Sequence, residues 1–268
     1  MATPEAIAEF RRDHGLDRPL IVQYLSFIGG ILRGDLGKSV RYEEPVLDLF
    51  LERVSATLQL GLAAYLVAIV IGISAGVYSG YRAGSILDKS IRVLVLIGQA
   101  VPGFYLGLML IIIFAVELRW FPTGGRGGFR HLVLPTIMLS AYLTTVVLRF
   151  TRSAMLDVLH QDYIRTARGK GVSEKIVVLR HAFRNVLIPI VTILGVQSRV
   201  VLTGAVVTET VFSWPGIGRL TVQAIQTRDF PMIQGNVFII TCMVVFLNLA
   251  VDLMYGYLDP RVKVSGAR

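Results

Sequence analysis

Charge is scarce in this 268-residue chain. Only 17% of its residues are Asp, Glu, Lys or Arg, where a soluble domain carries about a quarter. Mean hydropathy is +0.64. An ordinary soluble fold is excluded, and an integral membrane protein remains. Cysteine is almost missing: Cys242 stands alone, so no intrachain disulfide forms, and its apolar surroundings give the thiol a structural place. The amino terminus lacks a basic region followed by an apolar run, the mark of a secretory signal. Strand-period alternation is missing from the hydrophobic stretches, which favours an α-helical bundle over a β-barrel.

Catalytic and metal-binding constellations are missing too. His14, His131, His160 and His181 are scattered, with no pair at ligand spacing on one helix face. Asp252 and Glu209 stand near the ends of different hydrophobic stretches and form no acid/base pair. A membrane-embedded enzyme is set aside, and no metal or cofactor is expected on this chain. Arg33-Gly-Asp-Leu-Gly-Lys-Ser39 ends like a phosphate-binding loop, but the position five before Gly37 is Leu32, where the motif needs glycine. Nucleotide binding here is rejected.

What the chain does have is five hydrophobic stretches of about the 20 residues a bilayer crossing takes. They are Ser55–Ser79, Ile91–Val116, Leu132–Leu148, Val186–Thr208 and Gly235–Tyr257. The expected fold is all-α, a polytopic membrane helical bundle with five spans. Gly72, Gly76 and Gly80 lay a smooth groove along the first span for close helix contact. Pro102 interrupts the second, bending it either to line a pathway or as a packing kink. Arg199 is the one ionisable residue deep in a span, and faces either a pathway or a structural ion partner.

Loop charges orient the bundle. Gly80–Arg92 carries three basic residues and one acidic, and Arg149–Arg184 carries eight Lys/Arg against three Asp/Glu. With the basic carboxy-terminal tail, these are expected in the cytoplasm. A net charge of +9 would suggest nucleic acid in a soluble chain. Here the orientation rule accounts for it, so no nucleic-acid partner is expected. Residues 1–54 form an expected extracytoplasmic cap, and residues 55–268 one transmembrane domain carrying the cytoplasmic loop 149–185. An odd number of spans leaves about fifty amino-terminal residues to be translocated without a signal, which implies that the native protein has a further first span.

The loop is the most specific feature. Asp162 to Gly171 reads as a helix stopped by glycine, and Ser173 restarts a short amphipathic helix with Ile176, Val177, Leu179 and Phe183 opposite Lys175, Arg180 and Arg184. Such a projection either enters a cleft on a partner or rests on anionic lipid.

The residues Asp162-Tyr163…Thr166-Ala167-Arg168…Lys170-Gly171, then Arg180-His181-Ala182…Arg184-Asn185…Pro189, resemble the coupling loop of ABC importer permeases of the dipeptide/oligopeptide/nickel type. The resemblance runs through nearly the whole chain. It includes Gly15 to Pro19, Gly34 to Ser39, Thr57-Leu58, Pro102-Gly-Phe, Leu134-Pro135, Glu209 to Gly218, Arg228-Asp229, Asn248 to Tyr255 and Leu258 to Arg261. Two departures stand out. The family has six spans, and this chain begins just after the first. Gly169 replaces a usual alanine, a helix-interior glycine that costs up to about 1 kcal/mol and loosens the coupling helix.

The resemblance implies one permease subunit of an ATP-driven, binding-protein-dependent importer, multi-pass in the inner (plasma) membrane with a cytoplasmic carboxy terminus. Its implied partners are a second, similar permease, two cytoplasmic ATPase subunits that use ATP and Mg, an extracytoplasmic solute-binding protein and membrane lipid. The implied ATPase-coupling residues are Asp162, Tyr163, Arg165, Ala167, Gly171, Arg180 and His181. Pro102, Arg199, Glu209 and Trp214 are the pathway or external-gate candidates. An ATPase-independent secondary transporter or channel is the alternative, which needs intramembrane ion-binding groups that this chain scarcely offers.

Overall fold

A computed structural model describes residue 12 and residues 17–258, with the side chains at 199, 202 and 254–258 outside that description. The expected cytoplasmic tail, 259–268, also lies outside the described residues. In chain order the helices are α1 (Leu20–Leu32), α2 (Val46–Tyr81), α3 (Ile86–Ala100), α4 (Gly103–Leu110), α5 (Phe129–Leu159), α6 (Asp162–Gly169), α7 (Phe183–Val211), α8 (Ile217–Thr227) and α9 (Phe230–Leu258). A π-helical segment, Ile111–Glu117, continues α4, and a turn Glu174–Ile176 with a second π segment, Val177–Ala182, leads into α7.

Among the described residues, four helices are long and apolar enough to cross a membrane, and the bent pair α3–α4 makes a fifth crossing if counted as one. The expected five spans therefore correspond to these elements, with three main differences. The third span continues as α5 to Leu159, past the expected Leu148 and into the segment expected as loop. The first spanning helix, α2, starts at Val46 rather than Ser55, because Val46 and Leu49 already bury themselves against Leu220, Ala224 and Met232 from α8 and α9. The second span is broken, not kinked: α3 and α4 meet at 104°. Pro102 is the N-cap of α4, and Val101 before it is extended at ψ 121°. Proline disfavours helical backbone in the residue that precedes it and has no N–H to continue the ladder, so α3 stops and α4 starts anew.

The core is α2 laid against α5, with α7 packed on the same side of α5. Ala56, Leu60, Ala64 and Ala68 recur every fourth residue on α2 and meet Leu139, Leu143 and Val147 of α5. The stripe continues as Gly72, Gly76 and Gly80. A Cβ on Gly76 would lie 2.6 Å from Thr151 Cβ and 2.8 Å from the Leu148 carbonyl oxygen, and one on Gly80 would lie 2.6 Å from Met155 Cβ. The groove expected from the three glycines is thus filled by a ridge of α5. In lipid, where the hydrophobic effect does not drive helices together, such close contact supplies the packing.

A buried ion pair closes the same interface. Asp88, fully buried in the first turn of α3, accepts two bonds from the Arg152 guanidinium of α5, 2.9 and 3.1 Å long, and another from the Ser79 hydroxyl of α2. The Gly84 amide donates to it as well, at 2.9 Å. Ser85 in turn caps α3 by accepting from the Asp88 amide. One carboxylate thereby ties three helices together.

Replacing Gly76 by alanine is expected to cost about 1–3 kcal/mol, since the new methyl group overpacks a filled groove. Gly29→Ala, on α1 with open space around it, is expected to be neutral or stabilising. Thermal denaturation of the two variants in detergent checks the contrast.

Candidate functional site

The candidate residues gather at the two ends of the bundle. At one end, α6 presents Asp162, Tyr163, Arg165 and Ala167. Ile164 is its anchor, fully buried with Met155, Val177, Ala182, Val186 and Ile190. The helix closes in a Schellman motif: the Gly171 amide bonds to the Arg168 carbonyl at 2.9 Å and the Val172 amide to the Ala167 carbonyl at 3.2 Å. Gly171 takes φ +76°, which a side chain disfavours. The helix expected to stop at a glycine does so here. Gly169 is the last residue of α6 rather than an interior one, so the expected loosening falls at a terminus that Gly171 already closes.

Two side-chain bridges fasten the projection. Asn185 of α7 donates to the Tyr163 hydroxyl at 2.8 Å and to the His181 carbonyl at 2.9 Å. Arg168 and Glu174 pair through two bonds of 2.7 and 3.2 Å across the glycine turn. The Arg165–Asp162 pair, by contrast, is exposed on both sides and contributes little. Arg180 is exposed and His181 half-buried. The amphipathic face expected on the restarted helix is shifted: Val177, Val178 and Ala182 are buried, while Ile176 and Leu179 are exposed. The π segment causes this, because its wider turn carries an extra residue and rotates the helix face.

At the other end stands Glu209, fully buried. Its carboxylate accepts from the Thr57 hydroxyl of α2 at 2.6 Å and from the Arg219 amide in the first turn of α8 at 3.0 Å. Thr57 Oγ1 also accepts from the Ile217 amide at 2.9 Å. Glu209 and Thr57 together cap the start of α8 from outside, satisfying orphan amides and the positive end of the helix dipole. Glycine is required beside it, since a Cβ on Gly216 would collide with the Glu209 carboxylate. Trp214 is fully buried in the α2–α5–α7 core, where its indole N–H donates to the Ala56 carbonyl at 2.9 Å.

A second buried carboxylate serves the same end. Arg228, at φ +57°, ends α8 and presents Asp229. Asp229 accepts from the Ser39 hydroxyl at 2.5 Å and from the Val40 and Arg41 amides at 3.2 Å each, and caps α9 through the Met232 amide. The segment that mimics a phosphate loop thus cradles a carboxylate of its own chain.

Between the ends lies an apolar cavity of about 270 Å³, whose lining includes Gly103, Phe104, Met138, Tyr142, Gly204 and Thr208. Pro102 and Glu209 each adjoin a lining residue along the chain. Arg199 precedes Val200, which also lines it, but the Arg199 side chain lies outside the described residues. Among those residues no three His, Cys, Asp or Glu side chains converge on a metal-sized site.

The family described as the binding-protein-dependent transport system inner membrane component matches residues 68–264. The chain belongs to this family. Among its relatives, the Escherichia coli K12 dipeptide transport system permease protein DppB is 39% identical, the alignment covering 97% of this chain and 86% of that one. The Pseudomonas aeruginosa di/tripeptide permease DppB is 41% identical at the same coverage. The glutathione permease GsiC of E. coli O6:H1 is 39% identical over 98% of this chain and 87% of its own. Among solved structures, a chain of the inward-facing MetNI methionine ABC transporter superposes with TM-score 0.67 at 18% identity, over 80% of this chain and 97% of that one. A chain of an amino acid ABC transporter crystallised with histidines gives 0.63 at 15% identity, over 79% and 94%. The fold is therefore that of membrane subunits of ABC transporters.

For this inner membrane component, the sequence singles out the projecting loop and Glu209, beside the elbow that joins α7 to α8 (residues 212–216), but not three of the partners described above. Asp88 reads as a loop charge, although Ser85 three residues before it has capping-box spacing. Arg152 likewise reads as part of a basic block. Asp229 carries the local signal of a helix cap before Phe230, but nothing local points to Ser39, Val40 and Arg41, 188 to 190 residues away.

Glu209→Ala leaves the Thr57 hydroxyl and the Arg219 amide without their acceptor in a buried site. A loss of at least about 2 kcal/mol is expected, read as a lowered unfolding midpoint in detergent. Glu209→Gln, which keeps one acceptor oxygen, should fall between the two.

Proposed function

We propose that this chain is one of two membrane subunits of an ATP-driven importer of small peptides. A second permease would complete the pathway, two ATPases would dock at the α6 end, and a solute-binding protein would deliver peptide at the Glu209 end. The observation that carries the reading is the helix–Gly–helix projection from Asp162 to Asn185, built on the hydrophobic cluster that also holds the start of α7. A partner that moves α6 would act on α7 through Ile164 and through the Tyr163–Asn185 bond. The dipeptide, di/tripeptide and glutathione permeases named among the relatives support peptides as the solute class.

The lysine- and arginine-rich loops at the α6 end support placing that end in the cytoplasm. ATP and Mg would then be used by the partners. Asp162, Tyr163, Arg165, Ala167, Gly171, Arg180 and His181 form the proposed coupling surface. Pro102, Arg199 and Glu209 each adjoin a lining residue of the cavity along the chain and are the proposed pathway and gate residues. Trp214 would act as the seal of the external elbow rather than by touching solute.

Gly171→Pro removes an amide that bonds to Arg168 and demands a φ of about −65° where the chain takes a positive one. Uptake of tritiated dialanine by cells relying on this importer is expected to fall at least about tenfold, at unaltered membrane abundance of the subunit. Uptake that survives the change would show that the projection does not couple.

A further inference from the structure

Helix α1 (Leu20–Leu32) is apolar, yet none of its residues is buried. Leu20 is 83% exposed, Leu32 82% and Ile21 73%, with Tyr24 and Leu25 close behind. At a rise of 1.5 Å per residue the helix is about 20 Å long, well short of the roughly 30 Å hydrocarbon core. It therefore does not cross the membrane.

Its sequence separates two faces. Leu20, Ile21, Tyr24, Leu25, Ile28 and Leu32 fall within roughly 140° of the helix circumference, an arc whose one polar atom is the Tyr24 hydroxyl. Gln23, Ser26, Gly29 and Gly30 lie on the other side. Charge stands only at the ends: Arg18 and Arg33 flank a run, residues 19–32, without a single Asp, Glu, Lys or Arg.

The carboxy-terminal end of α1 is fastened to the bundle. The Arg33 and Asp35 amides both bond to the Gly30 carbonyl at 2.9 Å, and Gly34 takes φ +79° to make the turn. Leu36 follows, buried with Val46, Leu49 and Met232, and Ile31 packs against the same cluster. Gly235 of α9 sets the level of this anchor, because a Cβ there would lie 2.5 Å from Val46 Cγ1 and 3.5 Å from Leu36 Cβ. Within one or two turns of it the spans already turn apolar side chains outward: Phe230 and Val237 on α9 and Leu51 on α2 are each more than half exposed. Just before α2 come the charged residues Arg41, Glu43 and Glu44. In a chain whose α2 and α9 cross the bilayer, this level is an edge of the hydrocarbon layer, and α1 leaves the bundle there.

We propose that α1 lies in the plane of the membrane, with its Leu20–Leu25–Leu32 face sunk into lipid at that edge and its Gln23–Ser26–Gly30 face toward water. Arg18 and Arg33 stand at the level of the lipid phosphates. A broad apolar arc left in water is a surface that soluble proteins avoid, whereas the bilayer that already surrounds Phe230, Val237 and Leu51 covers it without any further partner. Tyrosine on the apolar face and arginine at both ends suit the boundary, since each has an apolar body and a polar tip. So placed, α1 sets the depth of the Leu36 anchor and, through it, of the starts of α2 and α9. The inference needs only that these two helices cross the bilayer, and it is independent of solute and of coupling to an ATPase.

The test is nitroxide accessibility in the native complex of this chain, set in nanodiscs of phosphatidylethanolamine and phosphatidylglycerol. A spin label on a genetically encoded keto amino acid replaces Leu25, Leu32 or Ser26, one at a time, and Phe246, 69% exposed on α9, serves as the reference. Collisions with oxygen, which concentrates in lipid, are expected to exceed those with a water-soluble nickel chelate at Leu25 and Leu32. Their ratio should be at least about fivefold that at Ser26, on the opposite face. Labels that meet the nickel chelate equally at all three positions would put α1 in water, and labels at Leu25 and Leu32 that meet neither reagent would put protein over this face. Either result overturns the placement of α1, while a lipid-like Phe246 leaves the spans where they are. An aqueous Phe246 would overturn both.

Discussion

The close approach of α2 and α5 is the constraint on which both ends of the molecule depend. Bilayer hydrocarbon solvates leucine as well as another leucine does, so apolar side chains alone do not hold two spans together. Contact distance does. Seven positions from Ala56 to Gly80, four residues apart, keep one face of α2 low, and Gly72, Gly76 and Gly80 bring the backbone against Val147, Thr151 and Met155. Met155 is also part of the cluster under α6, and Arg152 beside it binds Asp88. Ala56 receives the indole of Trp214 at the opposite end. The same helix pair therefore positions the projection and the elbow.

The two ends are finished by different chemistry, each suited to what it must satisfy. The elbow end turns the chain sharply several times and starts two helices, α8 and α9, which leaves buried amides without intrahelical partners. Glu209 supplies an acceptor for α8 from the end of α7 and Asp229 caps α9 from the residue before it, with Thr57 and Ser39 as second members of each group. Carboxylates suit this position because helix amino termini favour negative charge. At the α6 end the projection itself is closed differently: its glycine turn closes on its own carbonyls, and apolar side chains from α5, α6 and α7 hold it to the bundle. The charged groups of α6, Asp162 and Arg165, remain at the surface.

Much of this was legible in the sequence, because the strongest signals were local and periodic. The five hydrophobic stretches, the four-residue glycine spacing and the helix stop at Gly171 each rest on residues close together in the chain. Features that needed a partner elsewhere were not legible. Asp88 reads as one more loop charge until Arg152, 64 residues away, is placed beside it. Asp229 gives no sign of Ser39. Pro102 announced an interruption, but whether a proline bends a span or breaks it depends on the packing around both halves. Likewise, a face computed at 3.6 residues per turn fails where the helix widens to a π turn, as it does over Val177–Ala182.

The break at Pro102 gains meaning from what holds its two halves. α3 is fixed at its start through Asp88 to α2 and α5, on the side of the α6 projection. α4 is fixed at the other end of the bundle: Leu110 packs in one cluster with Leu134, Met138 and Phe212, the residue that begins the elbow. Among the described residues no backbone hydrogen bond spans the Val101–Pro102 joint. A change in the angle between α3 and α4 therefore breaks no helical ladder, whereas bending α2 or α5 would strain a filled groove. Of the crossings in this bundle, the broken one is where the two ends can shift relative to each other at least cost, and Gly103 and Phe104 beside the joint line the cavity that such a shift would reshape.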